Sequence, residues 1–148
     1  MLRTRFPLIL GAAFLLLAGS GCAREAGPNL SAPDAHARAQ AGQLTLIDIR
    51  RPDEWKQTRV AQGALEINMV HPQGTAGFVK QVAAEVGGDR NAPIGLICRT
   101  GNRTTQMQRA LVEAGFTRVY NVKEGMAGSG AGPGWIARGL PTEACKTC

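Results

Sequence analysis

In the stretch IGLICRTGNRTTQ, residues 94–106, an apolar run ends at a lone cysteine and gives way to a polar loop carrying Arg99 and Arg103 around Gly101. A cysteine at the end of a buried strand, just before a helix, stands where open parallel α/β sheets bind ligands. The N–H groups of such a loop and of the helix N-terminus converge there and form an anion cradle. That field favours the thiolate, the reactive form of the thiol. Arg99 and Arg103 stay protonated and offer planar donor forks to an oxyanion, while Gly101 permits a turn that a side chain would forbid. The chemistry implied is a nucleophilic sulfur meeting a small anion. A lone cysteine at a strand end is more often a core residue, but the five residues after Cys98 are all polar or glycine, which places it at the border of a loop. His36 falls in a helical pattern and His71 in a loop, so neither supplies a protease-like partner.

The chain has four cysteines: Cys22, Cys98, Cys145 and Cys148. Cys145 and Cys148 are near enough to pair locally, and if Cys22 is lipidated, Cys98 is left as the free thiol.

The elements that must hold this loop are legible in the flanking pattern. Ser31 opens a helix through SAPDAHARAQAG, with Pro33 and Asp34 in its first turn and Gly42 as its stop. Residues 44–49, LTLIDI, form a short apolar run suited to a strand covered on both faces, and residues 64–69, ALEINM, a weaker one. Phe78, Val79, Val82, Ala83 and Val86 recur at helical spacing before Gly87 and Gly88. Residues 93–98 are another buried-type strand, Met107, Ala110, Leu111 and Ala114 share a helical face, and residues 118–122 complete the alternation. Strand and helix in turn predict an α/β domain with a parallel sheet. Residues 125–135, GMAGSGAGPGW, read as a flexible loop near the end of the domain.

At 148 residues the chain has room for one domain. Residues 1–21 stand apart from it: Arg3 and Arg5 form a positive leader, residues 8–17 an apolar run too short to span a membrane, and residues 18–21 a small-residue stretch. The small residues before Cys22 resemble a bacterial lipobox, with Gly19 where leucine is usual, and an ordinary secretory cut after Ser20 is the rival. The expectation is an exported, periplasmic protein anchored to the outer membrane through a lipid on Cys22, with residues 22–30 as a tether. The net charge of +6 is scattered, without a basic run and with few aromatic residues, which argues against nucleic acid.

The loop CRTGNR, with the threonines after it, resembles the active-site loop of rhodanese-type sulfurtransferases. LIDIRRPDEW, QGALEIN and GFTRVYNVKEGMAG follow other motifs of that family in order, and the resemblance covers about residues 30–141. It implies the rhodanese-like fold, a central parallel five-stranded sheet flanked by helices, in a single domain over residues 31–141 of the exported, phage-shock-protein-E-like type. It further implies that Cys98 carries a persulfide, taking sulfane sulfur from a donor such as thiosulfate and passing it to cyanide or a thiol. Arg99, Thr100, Gly101, Asn102, Arg103 and Thr104 would bind the donor. No cofactor or metal and no partner beyond donor, acceptor and the lipid-anchored membrane are expected, and the chain is read as a monomer.

Asp48, Arg50 and Glu54 read as an ion-pair lattice more readily than as catalysts, and Trp55 and Trp135 as packing residues. A tyrosine-phosphatase loop has one residue more between cysteine and arginine than the four that separate Cys98 from Arg103. That leaves phosphatase or arsenate reductase as the weaker rival. A persulfide carrier with little turnover would use the same Cys98. The tail, residues 142–148, ends in Cys145-Lys-Thr-Cys148 with no helix after it, which favours a local disulfide, with a resolving role towards the Cys98 persulfide as its rival, over a dithiol catalyst or a zinc site.

Overall fold

The computed structural model describes residues 27–148; the leader and Cys22 lie outside the described residues. Five strands form one parallel sheet: β1 (Asn29–Leu30), β2 (Thr45–Asp48), β4 (Leu65–Glu66), β5 (Ile94–Ile97) and β6 (Val119–Val122), in the order β1-β6-β5-β2-β4. Four helices accompany them: α1 (Ala32–Gln40), α2 (Pro52–Thr58), α3 (Gly74–Glu85) and α4 (Asn102–Glu113). This is the parallel five-stranded α/β architecture that the resemblance implies, in which β5 occupies the centre and is buried throughout.

Side chains alternate across the strands and feed two apolar layers. Ile47, Leu96 and Val119 face Phe78, Val82, Met107 and Leu111 of α3 and α4. Leu46, Ile97 and Val122 face Ala32 and Ala35 of α1 together with Trp135. Gly95 in mid-strand is explained by Leu44, whose side chain fills the space a β-carbon would need. Helix α1 starts as its sequence predicts: the Ser31 hydroxyl accepts the Asp34 N–H at 3.2 Å, which satisfies one of the donors left free at a helix start.

Four features differ from the expectation. The fifth strand is Asn29–Leu30, assigned by composition to the tether; it pairs with β6 in the register Asn29 to Asn121 and Leu30 to Val122. Two residues carry no periodicity, so only the neighbouring strand reveals them. Helix α2 was read only as a charged motif, and the weak strand over residues 64–69 contracts to Leu65–Glu66. The glycine-rich stretch read as flexible is held in place: the Met126 N–H donates to the Cys98 carbonyl at 2.8 Å and the Ala127 N–H to the Arg99 carbonyl at 2.9 Å. Glu124, 2% exposed, accepts N–H groups from Ala32 and Gly134 and pairs with Arg138 at 2.7 Å.

The chain then returns to the body of the domain. A last strand, β7 (Thr142–Glu143), pairs antiparallel with β3 (Val60–Ala61). Trp135 is fully buried, and its indole N–H donates to the Pro141 carbonyl at 2.9 Å, tying the glycine-rich segment to this return. Replacing Trp135 with Ala is expected to cost about 3–5 kcal/mol, read as a lower urea midpoint at unchanged slope.

Candidate active site

The site forms where β5 ends. Cys98 follows the last strand residue and is fully buried within the apolar layer beneath α4. The sequence placed the thiol at the border of a loop; the structure puts it under that loop as well as in the core, because the chain folds back over the sulfur. The Gly101 N–H points at Cys98 Sγ from 3.1 Å. Gly101 adopts φ 80° as the N-cap of α4, and a side chain there would run into the Lys123 carbonyl. Glycine at this position is therefore required twice, by conformation and by space.

Thr104, buried on the first turn of α4, has its hydroxyl 2.9 Å from the Gly101 carbonyl, 2.7 Å from Asn121 Oδ1 and 3.7 Å from Cys98 Sγ. One hydroxyl proton faces two oxygen acceptors, and between the hydroxyl and the sulfur either atom can donate. The Asn121 amide donates to the Gly101 carbonyl at 3.3 Å and to the Thr105 hydroxyl at 3.0 Å, and Lys123 Nζ reaches Thr105 at 3.1 Å. Sequence reasoning missed Asn121 and Lys123. They sit in an ordinary strand pattern, and nothing in the spacing says that β6 neighbours β5 and ends against the loop.

The two arginines part company. Arg99 is exposed at the mouth of the loop. Arg103 lays both terminal nitrogens on Glu54, each at 2.6 Å, so its fork is committed to α2. Its pKa is raised above the ordinary value, by the Glu54 hydrogen bond first, against burial, with the Glu54 charge and the nearby Cys98 adding to the rise. Thr100 is partly exposed and Asn102 exposed.

Asp48, Arg50 and Glu54 form a lattice. Buried Arg50 holds buried Asp48 at 2.6 Å and reaches the Thr58 hydroxyl and the Arg59 carbonyl, which binds α2 to the sheet. A cavity of about 150 Å³ opens beside the loop, lined by Arg50, Glu54, Arg99, Met126 and Ile136 among others. A larger groove of about 450 Å³ runs along α4, lined by Asn102 and Thr105 of its first turn and by residues such as Thr75, Arg109 and Glu113. The two tail cysteines are joined to each other, and Cys98 is the free cysteine among the described residues.

A parallel sheet with this strand order, carrying a cysteine-initiated loop at the end of its central strand, defines an α/β protein with a thiol anion cradle. A family model for the rhodanese-like domain matches residues 31–130, and the chain belongs to the rhodanese family. Thiosulfate sulfurtransferase 16, chloroplastic, of Arabidopsis thaliana is 31% identical over 122 residues, covering 78% of this chain and 92% of that protein. Among solved structures, the polysulfide-sulfur transferase homodimer of Wolinella succinogenes is similar at TM-score 0.60 and 25% identity, covering 82% of each chain. The rhodanese-like domain of an Anabaena protein is similar in fold at TM-score 0.61 and 22% identity, covering 80% of each chain.

The Glu54 carboxyl is lowered from 4.5 to about 2, by the Arg103 hydrogen bond first, against burial, with the Arg51 N–H and the charges of Arg103 and Arg50 assisting. A folded pKa below the unfolded one means that the contribution to stability is complete above 4.5 and is lost as pH falls through about 2. With Arg103 partly solvated, we expect that contribution to be about 1–2 kcal/mol. Unfolding free energies from urea titrations above pH 4.5 and near pH 2 should fall for the parent by that much more than for Glu54→Gln.

Proposed function

We propose that this chain is an exported, single-domain sulfurtransferase of the phage-shock-protein-E-like type, which moves sulfane sulfur from thiosulfate to cyanide or a thiol through a persulfide on Cys98. The observation that carries this reading is Cys98 Sγ at the end of the central strand with the Gly101 N–H aimed at it from 3.1 Å.

In the first half-reaction the Cys98 thiolate attacks the outer sulfur of thiosulfate. The S–S bond of the donor breaks, sulfite leaves with its electron pair, and Cys98 holds a persulfide. In the second, the acceptor attacks the outer sulfur of the persulfide, the new S–S bond breaks, and the thiolate is restored. With cyanide the product is thiocyanate. The process is two-step covalent catalysis, in which the Gly101 N–H and the N-terminus of α4 stabilise sulfur-borne negative charge throughout. Because Cys98 is fully covered, the donor gains access only as side chains above the sulfur move aside. Arg99 grips the sulfonate, since its fork is exposed, while Arg103 adds positive charge beside the sulfur and fixes the loop through Glu54. Thr100 and Thr104 complete the cradle with backbone and hydroxyl donors. Export and lipid attachment at Cys22 place the activity in the periplasm at the outer membrane; metabolic labelling with a fatty acid that requires Cys22 tests the anchor.

Incubation with thiosulfate should add the mass of one sulfur to the parent and none to Cys98→Ser, which should also lose cyanide-dependent turnover. A Cys98-dependent rate with thiosulfate and cyanide far below that with a protein thiol or a small persulfide would make the chain a carrier, and full turnover without Cys98 would sink the proposal. Arg99→Ala should lower kcat/KM for thiosulfate by about tenfold to a hundredfold, the loss of a charge-assisted hydrogen bond, with the urea midpoint unchanged.

A further inference from the structure

The tail beyond the family match carries chemistry that sulfur transfer at Cys98 does not use. Residues 131–148 lie outside the matched rhodanese-like segment, and Cys145 and Cys148 form a disulfide there. The turn they close is seated on a single side chain, Glu66, at the end of edge strand β4. The Glu66 carboxylate accepts the N–H groups of Lys146 and Thr147, each at 2.8 Å, together with the Thr147 hydroxyl. Burial opposes ionisation of Glu66, yet the Thr147 hydroxyl, the two N–H groups and the Lys146 charge outweigh it and hold the carboxyl below its ordinary value. Glu66 Oε2 also lies 3.2 Å from Cys145 Sγ, and the Cys148 N–H lies 2.9 Å from the same sulfur.

The two sulfurs differ in ways that matter for exchange. Cys148 is exposed and Cys145 only partly so. An incoming thiolate therefore meets Cys148, and Cys145 is the leaving sulfur. When Cys145 departs, the Cys148 N–H steadies it as it takes negative charge, and once protonated its S–H has an acceptor waiting in Glu66. The Cys148 N–H thus assists the departure, and Glu66 acts after it by holding the protonated thiol of the opened pair.

The pair is also set apart from Cys98. Glu66 is in register with Asp48, and Asp48 with Ile97, the residue before Cys98. Neighbours in register share a face and successive residues alternate, so Glu66 lies on the side of Ile97, opposite to Cys98. Two strand spacings of about 4.8 Å intervene as well. A resolving role towards a Cys98 persulfide is not supported by this placement.

We propose that Cys145 and Cys148 form a second, independent thiol-handling site: a disulfide that exchanges with small thiols and dithiols at Cys148, with Glu66 receiving the Cys145 thiol. The step balances. One thiolate attacks Cys148 Sγ, the Cys145–Cys148 bond breaks as a mixed disulfide forms, and Cys145 takes a proton. The second thiol of a dithiol then closes the disulfide of the reductant and frees Cys148, so that two electrons and two protons have passed to the protein.

The test exposes the folded full-length chain to glutathione redox buffers and to dithiothreitol, blocks free thiols, and maps each cysteine by mass spectrometry. The expected result is glutathione on Cys148 with a free thiol at Cys145, and both thiols free in dithiothreitol while the far-ultraviolet circular dichroism stays native. A pair that opens only when the chain unfolds is an ordinary structural crosslink and overturns the proposal, as does glutathione carried on Cys145. In the reduced protein at neutral pH, Glu66→Ala should raise alkylation of Cys145 at least about threefold, because a neighbouring carboxylate disfavours the thiolate, and leave Cys148 unchanged. Equal change at both removes Glu66 from the site. The double variant Cys145→Ser, Cys148→Ser should keep thiosulfate-to-cyanide turnover within about twofold of the parent, and a larger loss would refute independence. Exchange at the tail in a chain with an inert Cys98 would defeat the sulfurtransferase reading and leave this one standing.

Discussion

Between the α-carbon of Gly101 and the carbonyl of Lys123 there is no room for a β-carbon, and the site is arranged around that contact. It brings the loop after β5 against the end of β6 and sets the φ of 80° with which α4 begins. The Gly101 N–H can then aim at Cys98 while its carbonyl collects the hydroxyls of Thr104 and Thr105 and the Asn121 amide. From the other side Gly125 approaches the Arg99 carbonyl with equal lack of space, and the next two residues donate to the carbonyls of Cys98 and Arg99. A loop gripped on both sides keeps its dipoles pointed at the sulfur before any substrate arrives, which is how a backbone cradle stabilises charge without reorganising.

Carboxylates connect the rest of the molecule to this loop. Asp48 fixes Arg50 at the end of β2, Glu54 fixes Arg103 on α4, and Glu124 joins the start of α1, the glycine-rich segment and Arg138. Taking such ions out of water is costly, so these pairs are weak evidence for added stability. Their effect is positional, because removing one partner strands the other charge and costs about 3–5 kcal/mol when the pair is buried. Elements brought together by the sheet are thereby locked at one spacing. The lattice also divides two arginines that look alike in sequence, one committed to the fold and one exposed to whatever enters.

The second sulfur centre follows from topology in the same way. Placing β4 at the sheet edge and returning β7 to β3 carries the tail to Glu66, on the face opposite to Cys98. Three of the four cysteines, those among the described residues, are thus sorted by the strand order into a buried thiol and a crosslinked pair at the edge.

What the sequence alone determined is whatever local chemistry dictates. The cap at Ser31, the apolar runs that became β2, β5 and β6, the helical faces of α3 and α4, and the spacing of cysteine, glycine and arginines in the loop are all short-range signals, and the family resemblance rested on them. What lay beyond it had no local signal. Asn29–Leu30 is a strand only because β6 lies beside it, Arg103 is committed only because α2 delivers Glu54, and Asn121 acts on the loop only because β6 packs next to β5. Those were decided by the tertiary structure, since a hydrogen bond or ion pair between residues tens of positions apart depends on where the chain returns, and the return is set by burial of the whole sheet rather than by the residues that meet there.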